Sequence, residues 1–301
     1  MYDPAQLAAL AAVHRRGAFD LAAAELGISQ SAVSQRLRAL EDRVGVLLIR
    51  RGTPSEATEA GLRLIRHHDD VALLAGQVAR ELGAAPTGPA VLRVAVNADS
   101  LATWVIPALA AVDGVLFDLV IDDQDFSQDW LRRGDVVAAV TGHPGPLQGC
   151  DTMALGALRY RATASPAYMA RWFPDGVTPD AVARAPALTF SDKDGLQAAW
   201  IAERGLGNRA GFPSHRLAST QGFIDACLAG LGWALNPEVL VAADLAAGRL
   251  VELVPGSVLD VPLHWQFARL TSEVIRPLTA AMRQAARKVL VSPQVRRAPG
   301  L

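Results

Sequence analysis

Lysine is almost absent from this 301-residue chain; it occurs only at positions 193 and 288, so arginine supplies nearly all the positive charge. Net charge is −1, which excludes binding of polyanions or membranes through a global basic excess; any such function must rest on local placement. Residues 1–83 contain ten arginines and ten acidic residues, so even this segment is neutral overall. Cysteine is equally scarce. Cys150 and Cys227 lie far apart with no ligand spacing around them, a pattern of buried small hydrophobes rather than a disulfide framework or metal site. No basic stretch followed by an apolar run opens the chain, and Asp, Arg or Pro breaks every apolar stretch short of a membrane span. A cytoplasmic protein with no membrane partner, metal or cofactor is expected. With 51% hydrophobic and 20% charged residues, the length fits about two globular domains.

Catalytic signatures are missing too. The chain has no Gly-x-Ser-x-Gly elbow, no His-Glu-x-x-His and no P-loop. The glycines of Gly205–Leu206–Gly207–Asn208–Arg209–Ala210–Gly211 have the wrong spacing for a dinucleotide loop and follow no clear strand. An enzyme is not expected.

What is present begins at Ser29. In Ser29–Gln30–Ser31–Ala32–Val33–Ser34–Gln35–Arg36–Leu37–Arg38–Ala39–Leu40–Glu41, Val33, Leu37 and Leu40 recur at helical spacing and form one apolar face. The opposite face carries Gln30, Ser31, Ser34, Gln35 and Arg38, which suit base edges and phosphates. A short helix, Asp20–Leu26, precedes it across a Gly27–Ile28 break, and another spans Pro4 to about His14. Together they read as a helix-turn-helix. Leu47–Ile49 and Glu56–Thr58 flank a turn, Arg50–Pro54, and predict a wing. Ser29, Gln30, Ser31, Ser34, Gln35, Arg36, Arg38, Arg50 and Arg51 are the candidate DNA-binding residues, with Arg50 and Arg51 following the backbone or entering the minor groove.

A helix over 59–83 follows, with Leu64, Val71, Leu74, Val78 and Leu82 spaced for a two-helix seam; an ordinary amphipathic helix packed on its own domain is the alternative. The Gly/Pro-rich residues 84–89 read as a hinge. From 90 onward strands and helices alternate, which predicts a parallel sheet. The strands are Val91–Asn97, Leu116–Ile121, Val136–Thr141, Ala187–Phe190, Gly232–Asn236 and His264–Leu270.

The run from Phe19 through Ala22–Ala23, Leu26 and Ile28 to Leu40–Glu41 resembles the LysR-type transcriptional regulators, and the resemblance extends over essentially the whole chain. Asn97–Ala98–Asp99–Ser100–Leu101–Ala102–Thr103–Trp104 is similar to the ArgP/LysG branch, also called the chromosome-initiation-inhibitor type. Leu131–Val137 and Phe190–Asp194 support that branch, whereas the wing lacks its denser proline run. The resemblance implies an α/β architecture. A winged helix-turn-helix (1–58) and a linker or dimerisation helix (59–83) lead into a two-lobed, periplasmic-binding-protein-like effector domain (90–301). Lobe one is placed at 90–162 and 264–301, lobe two at 163–263. It further implies sensing of lysine or arginine, control of an amino-acid exporter or metabolism gene, a homodimer or homotetramer on double-stranded operator DNA, contact with RNA polymerase, and a nucleoid-associated location. A different small-molecule effector, or a chromosome-origin or nucleoid binder without effector control, are the alternatives.

For the effector, the carboxyl ends of the strands mark the candidate site. Asn97, Asp99 and Ser100 open a helix whose backbone N–H groups favour an α-carboxylate, and Thr141 ends the third strand. Asp122 and Asp123 supply carboxylates for cationic groups. Ser191, Asp194 and Thr220 are the candidates from lobe two. For the acidic residues, a helix cap or a solvated turn is the alternative role.

Overall fold

The computed structural model describes residues 2–83, 90–207 and 211–292; the expected hinge at 84–89 lies outside them. The chain opens with α1 (Pro4–Arg16), α2 (Phe19–Leu26) and α3 (Gln30–Val44). Their limits follow from local chemistry. Asp3 caps α1 through its carboxylate to the Ala5 N–H, and Ser29 caps α3 through its hydroxyl to the Ala32 N–H. Left-handed glycines, Gly17, Gly27 and Gly45, end the three helices. Leu10, Val13, Ala22, Val33, Leu37, Leu40 and Leu48 bury one shared apolar core.

The wing is the antiparallel pair β1 (Ile49–Arg50) and β2 (Glu56–Ala57), shorter than expected. Glu41 ties it to α3 by accepting the N–H groups of Leu48 (2.8 Å) and Ile49 (3.3 Å). Thr58 then caps α4 (Glu59–Glu81), its hydroxyl accepting the Gly61 N–H at 3.1 Å. A side chain at Gly61 would place Cβ 2.2 Å from the Leu48 carbonyl oxygen, so only glycine allows this approach. Along α4, Ile65 joins the winged-helix core and Leu73 joins the core of the second domain. Of the expected seam residues, Leu64 packs on the winged-helix core, while Val71, Val78 and Leu82 are exposed.

The second domain starts with β3 (Ala90–Val96), a helical run of α5 (Ala98–Ser100), a π-helical turn (Leu101–Val105) and α6 (Ile106–Leu109), then β4 (Val115–Ile121), α7 (Ser127–Arg133) and β5 (Ala138–Thr141). The run is not one regular helix: Pro107 has no N–H to donate within it. β3 lies between β4 and β5, parallel to both. Next come β6 (Cys150–Ala164), α8 (Pro166–Trp172), α9 (Pro179–Arg184), β7 (Ala187–Thr189), α10 (Leu196–Glu203), β8 (Ser214–Arg216), α11 (Thr220–Leu228), β9 (Ala234–Pro237), α12 (Glu238–Ala246) and β10 (Val251–Glu252). β11 (Val258–Ala268), a 3-10 turn (Arg269–Thr271) and α13 (Arg276–Val289) complete the domain.

The sheet departs from the all-parallel expectation. Its order is β10-β6-β11-β5-β3-β4, with β9 also on β6, and β6, β9, β10 and β11 pair antiparallel. The long strand β6 had no counterpart in the pattern reading, and β11 begins six residues before the expected His264. These two strands carry the chain from one lobe to the other and back. They pair along most of their length and break register between Leu263 and His264, opposite Gly156. Gly156 has φ of 133°, and a Cβ there would press on Leu290 and the Val291 carbonyl. The residues 162/163 and 263/264 therefore fall inside continuous strands. Trp104, Trp200, Trp233, Trp265 and Tyr160 are fully buried in the core of this domain.

Candidate functional site

Two regions gather the polar residues singled out above. On α3, Gln30, Ser31, Gln35 and Arg38 are exposed, Ser34 and Arg36 are half-buried, and Arg50 and Arg51 stand exposed on the wing. Ser29 is exposed, but its hydroxyl is engaged in capping the helix and in a 2.9 Å contact with the Ser31 hydroxyl. The Arg51 guanidinium lies 5.0 Å from the centroid of the Phe19 ring, a stacking contact that orients the wing arginine. The buried face of α3 packs on α1 and α2, leaving its polar face free for a groove.

The second region is a small cleft between the lobes, open to solvent. Lobe one contributes Asn97, Ala98, Asp99, Asp122, Asp123 and Gln124 from the carboxyl ends of β3 and β4; lobe two contributes Phe190, Asp194, Leu196, Thr220, Phe223 and Leu235. Thus Asn97, Asp99, Asp122, Asp123, Asp194 and Thr220 come together from four separate stretches of chain. Ser100, Thr141 and Ser191 do not line the cleft. Thr141 is fully buried, and its hydroxyl donates to the Gln124 carbonyl (3.0 Å) and accepts the His143 N–H (3.2 Å). The Ser191 hydroxyl accepts the Lys193 N–H within its own loop. The Ser100 hydroxyl is buried beneath the surface, without a hydrogen-bond partner.

Asp99 joins the lobes. One carboxylate oxygen accepts the Tyr160 hydroxyl of β6 at 2.8 Å and the other accepts the Thr220 hydroxyl of α11 at 2.6 Å. Burial raises its pKa above the ordinary carboxylate value, although both hydroxyls favour the charged form. Asp123 is pushed up to about 6, chiefly by burial and further by the neighbouring Asp125, Asp194 and Asp122. Asp194 is also raised by burial, against hydrogen bonds from the Phe190 and Leu196 N–H groups and the Gln197 side chain. Asp122 behaves differently. Burial raises its pKa, but the Trp130 indole N–H (2.9 Å), the Asp123 N–H (2.9 Å) and Lys193 (3.3 Å) together hold it below the ordinary value.

Four carboxylates therefore face one small space; no lysine, arginine or histidine lines it among the described residues, and Lys193 reaches only its rim, at Asp122. Asn97 is buried there with its Oδ1 unpartnered, while its amide donates weakly to Gln124 at 3.4 Å. Such a cavity favours a ligand carrying positive charge and hydrogen-bond donors, with Phe190, Phe223, Leu196 and Leu235 receiving its apolar part. Tyr160, Gln124, Trp130 and Lys193 escaped the sequence reading. Tyr160 and Trp130 look like core aromatics in one dimension, and only Lys193 stood out, as one of two lysines in a chain that otherwise uses arginine.

A DNA-reading head joined through a long helix to a two-lobed ligand domain defines a one-component regulator. The family model described as "Bacterial regulatory helix-turn-helix protein, lysR family" matches residues 4–62, and that described as "LysR substrate binding domain" matches residues 88–291. The chain belongs to the LysR family of DNA-binding transcriptional regulators. Within the family it is 45% identical over 284 residues to the transcriptional regulator ArgP of Pseudomonas aeruginosa, covering 93% of this chain and 94% of that one. It is 42% identical over 299 residues to the regulator LysG of Mycobacterium tuberculosis, covering 99% and 98%. Among solved structures, ArgP from Mycobacterium tuberculosis superposes with a TM-score of 0.84 at 40% identity, covering 97% of this chain and 100% of that one. Full-length LysG from Corynebacterium glutamicum with bound effector Arg superposes with 0.71 at 36% identity, covering 96% and 99%.

Proposed function

We propose that this regulator senses a basic amino acid, lysine or arginine, in the interlobe cleft and controls a gene for its export or metabolism. The observation that carries this reading is the charge of the cleft: four carboxylates and no lining cation among the described residues. Three of them have raised pKa values, chiefly because burial strips water from the charged form, and a cationic ligand supplies the counter-charge that water does not. The unpartnered Asn97 Oδ1 offers an acceptor to an ammonium or guanidinium N–H. The bound arginine of the Corynebacterium glutamicum LysG structure supports the same ligand class. Asn97, Asp99, Asp122, Asp123, Asp194 and Thr220 are the effector residues on this reading, and the exposed face of α3 with Arg50 and Arg51 reads the operator.

Residues 1–58 then form the DNA-binding domain, 59–83 the linker and 90–301 the effector domain. The exposed Val71 and Val78 on α4 and Leu82 just past its end support pairing of two copies, as a homodimer or within a homotetramer, and a dimer suits a two-fold operator. Effector binding shifts the relative lobe angle only to the extent that it favours one arrangement, and this is passed to the winged helices and to RNA polymerase on nucleoid DNA.

The test is thermal unfolding of the purified protein with single amino acids. A hundredfold excess of lysine or arginine over its dissociation constant adds about 2.7 kcal/mol of stability, while glutamate and the uncharged norleucine add nothing. Stabilisation by glutamate or norleucine, with none by lysine or arginine, overturns the reading.

A further inference from the structure

We infer that Lys193 is a resident cation at the rim of the cleft that pairs with Asp122, a carboxylate the effector's positive group takes, and must be displaced when the effector binds. The inference rests on the basic-amino-acid reading above and deepens it, because it makes Lys193 a determinant of affinity and charge selectivity.

Three observations carry it. Lys193 lies on the lobe-two loop between β7 and α10, yet its Nζ reaches across the cleft to Asp122 Oδ1 at 3.3 Å. The same ammonium sits 4.5 Å from the centroid of the Phe126 ring, also in lobe one, so two independent contacts hold it against the opposite lobe. Finally, Asp122 lines the cleft and Lys193 does not: the lysine enters from the rim and covers one carboxylate. The Asp122 side chain is 19% exposed and that of Lys193 is 49% exposed. The carboxylate is therefore fixed and the cation is the partner free to leave. Trp130 and the Asp123 N–H keep Asp122 in place when it does. A lysine suits this role better than an arginine, because a point charge on a flexible stem is released more readily than a bidentate fork.

A half-exposed ion pair is weak, so the competition is modest. Calorimetric titration of the full chain with arginine and with argininamide, which lacks the carboxylate, separates the possibilities. In Lys193→Met both ligands should bind about two- to five-fold more tightly than in the unaltered protein. Lys193→Arg, which keeps the charge and is released less readily, should compete at least as strongly as the unaltered residue. Weaker arginine binding in Lys193→Met with argininamide unchanged would mean that Lys193 holds the effector's carboxylate and would overturn the inference. Unchanged affinity for both ligands would overturn it as well. If the unaltered protein binds neither ligand nor lysine, the reading of the cleft itself fails and the inference falls with it.

Discussion

On α3, Gln30, Ser31, Gln35 and Arg38 stand in solvent on a helix whose other side is sealed into an apolar core. In the cleft, Asp99, Asp123 and Asp194 are largely removed from water, and burial changes their proton affinity before any ligand arrives. The first surface needs only a rigid scaffold, because phosphates and base edges come to it and its polar groups stay hydrated until then. The second stores an electrostatic imbalance that a ligand of the right charge resolves. A DNA reader can thus be built from one contiguous stretch, whereas a small-molecule sensor must bring groups from several stretches out of water.

This contrast can be broken most forcefully through the winged-helix core. Leu40 is fully buried there, and Leu40→Ala should cost about 2–5 kcal/mol. In denaturant unfolding the DNA-binding region should melt earlier while the cleft still binds effector. Parallel loss in both regions would show that they do not have separate cores.

Asp99→Ala comes next. It deprives the Tyr160 and Thr220 hydroxyls of their acceptor and should destabilise the effector domain by about 1–3 kcal/mol, with faster amide exchange in the first turn of α11. An effect confined to effector affinity would mean that the interlobe bond does not hold the lobes together.

The pH dependence sharpens the comparison further. Asp123 is raised from 3.8 to about 6 in the fold, so the native state binds its proton more readily than the unfolded chain does. Its contribution to stability is therefore fully present in acid and declines as pH rises from about 4 to about 6. A cationic effector needs the ionised form, so affinity for lysine should fall as pH drops below about 6, by up to about tenfold per unit. Asp123→Asn should flatten that profile, and operator binding should be free of this dependence. A titration of lysine affinity between pH 5 and 8 checks it.

The smallest expected effect belongs to the wing. Arg51→Ala should weaken operator and unrelated DNA to a similar extent and reduce the slope of log affinity against log salt by about one. A change of sequence preference alone would assign Arg51 to base reading instead.

The winged helix was legible because its signals are local. Glycines at 27 and 45, the Ser29 cap and the spacing of Val33, Leu37 and Leu40 fix α3 from within the segment. The acidic rim was legible in part, since strand ends point to a common edge. Thr141 and Ser191 look no different from Thr220 in one dimension. Yet the Thr220 hydroxyl faces Asp99 across the cleft, while the other two turn to nearby backbone.

The sequence by itself determined the three helices of the winged domain, their apolar faces and the class of regulator, because each depends on neighbours a few residues away. Only the tertiary structure decided that β6 and β11 run antiparallel between the lobes, that Tyr160 and Thr220 meet on Asp99, and that Lys193 crosses to Asp122. Those contacts join residues as much as 121 positions apart. Strand pairing, burial and charge proximity are properties of the assembled fold, and no local pattern encodes which distant partner will satisfy a buried group.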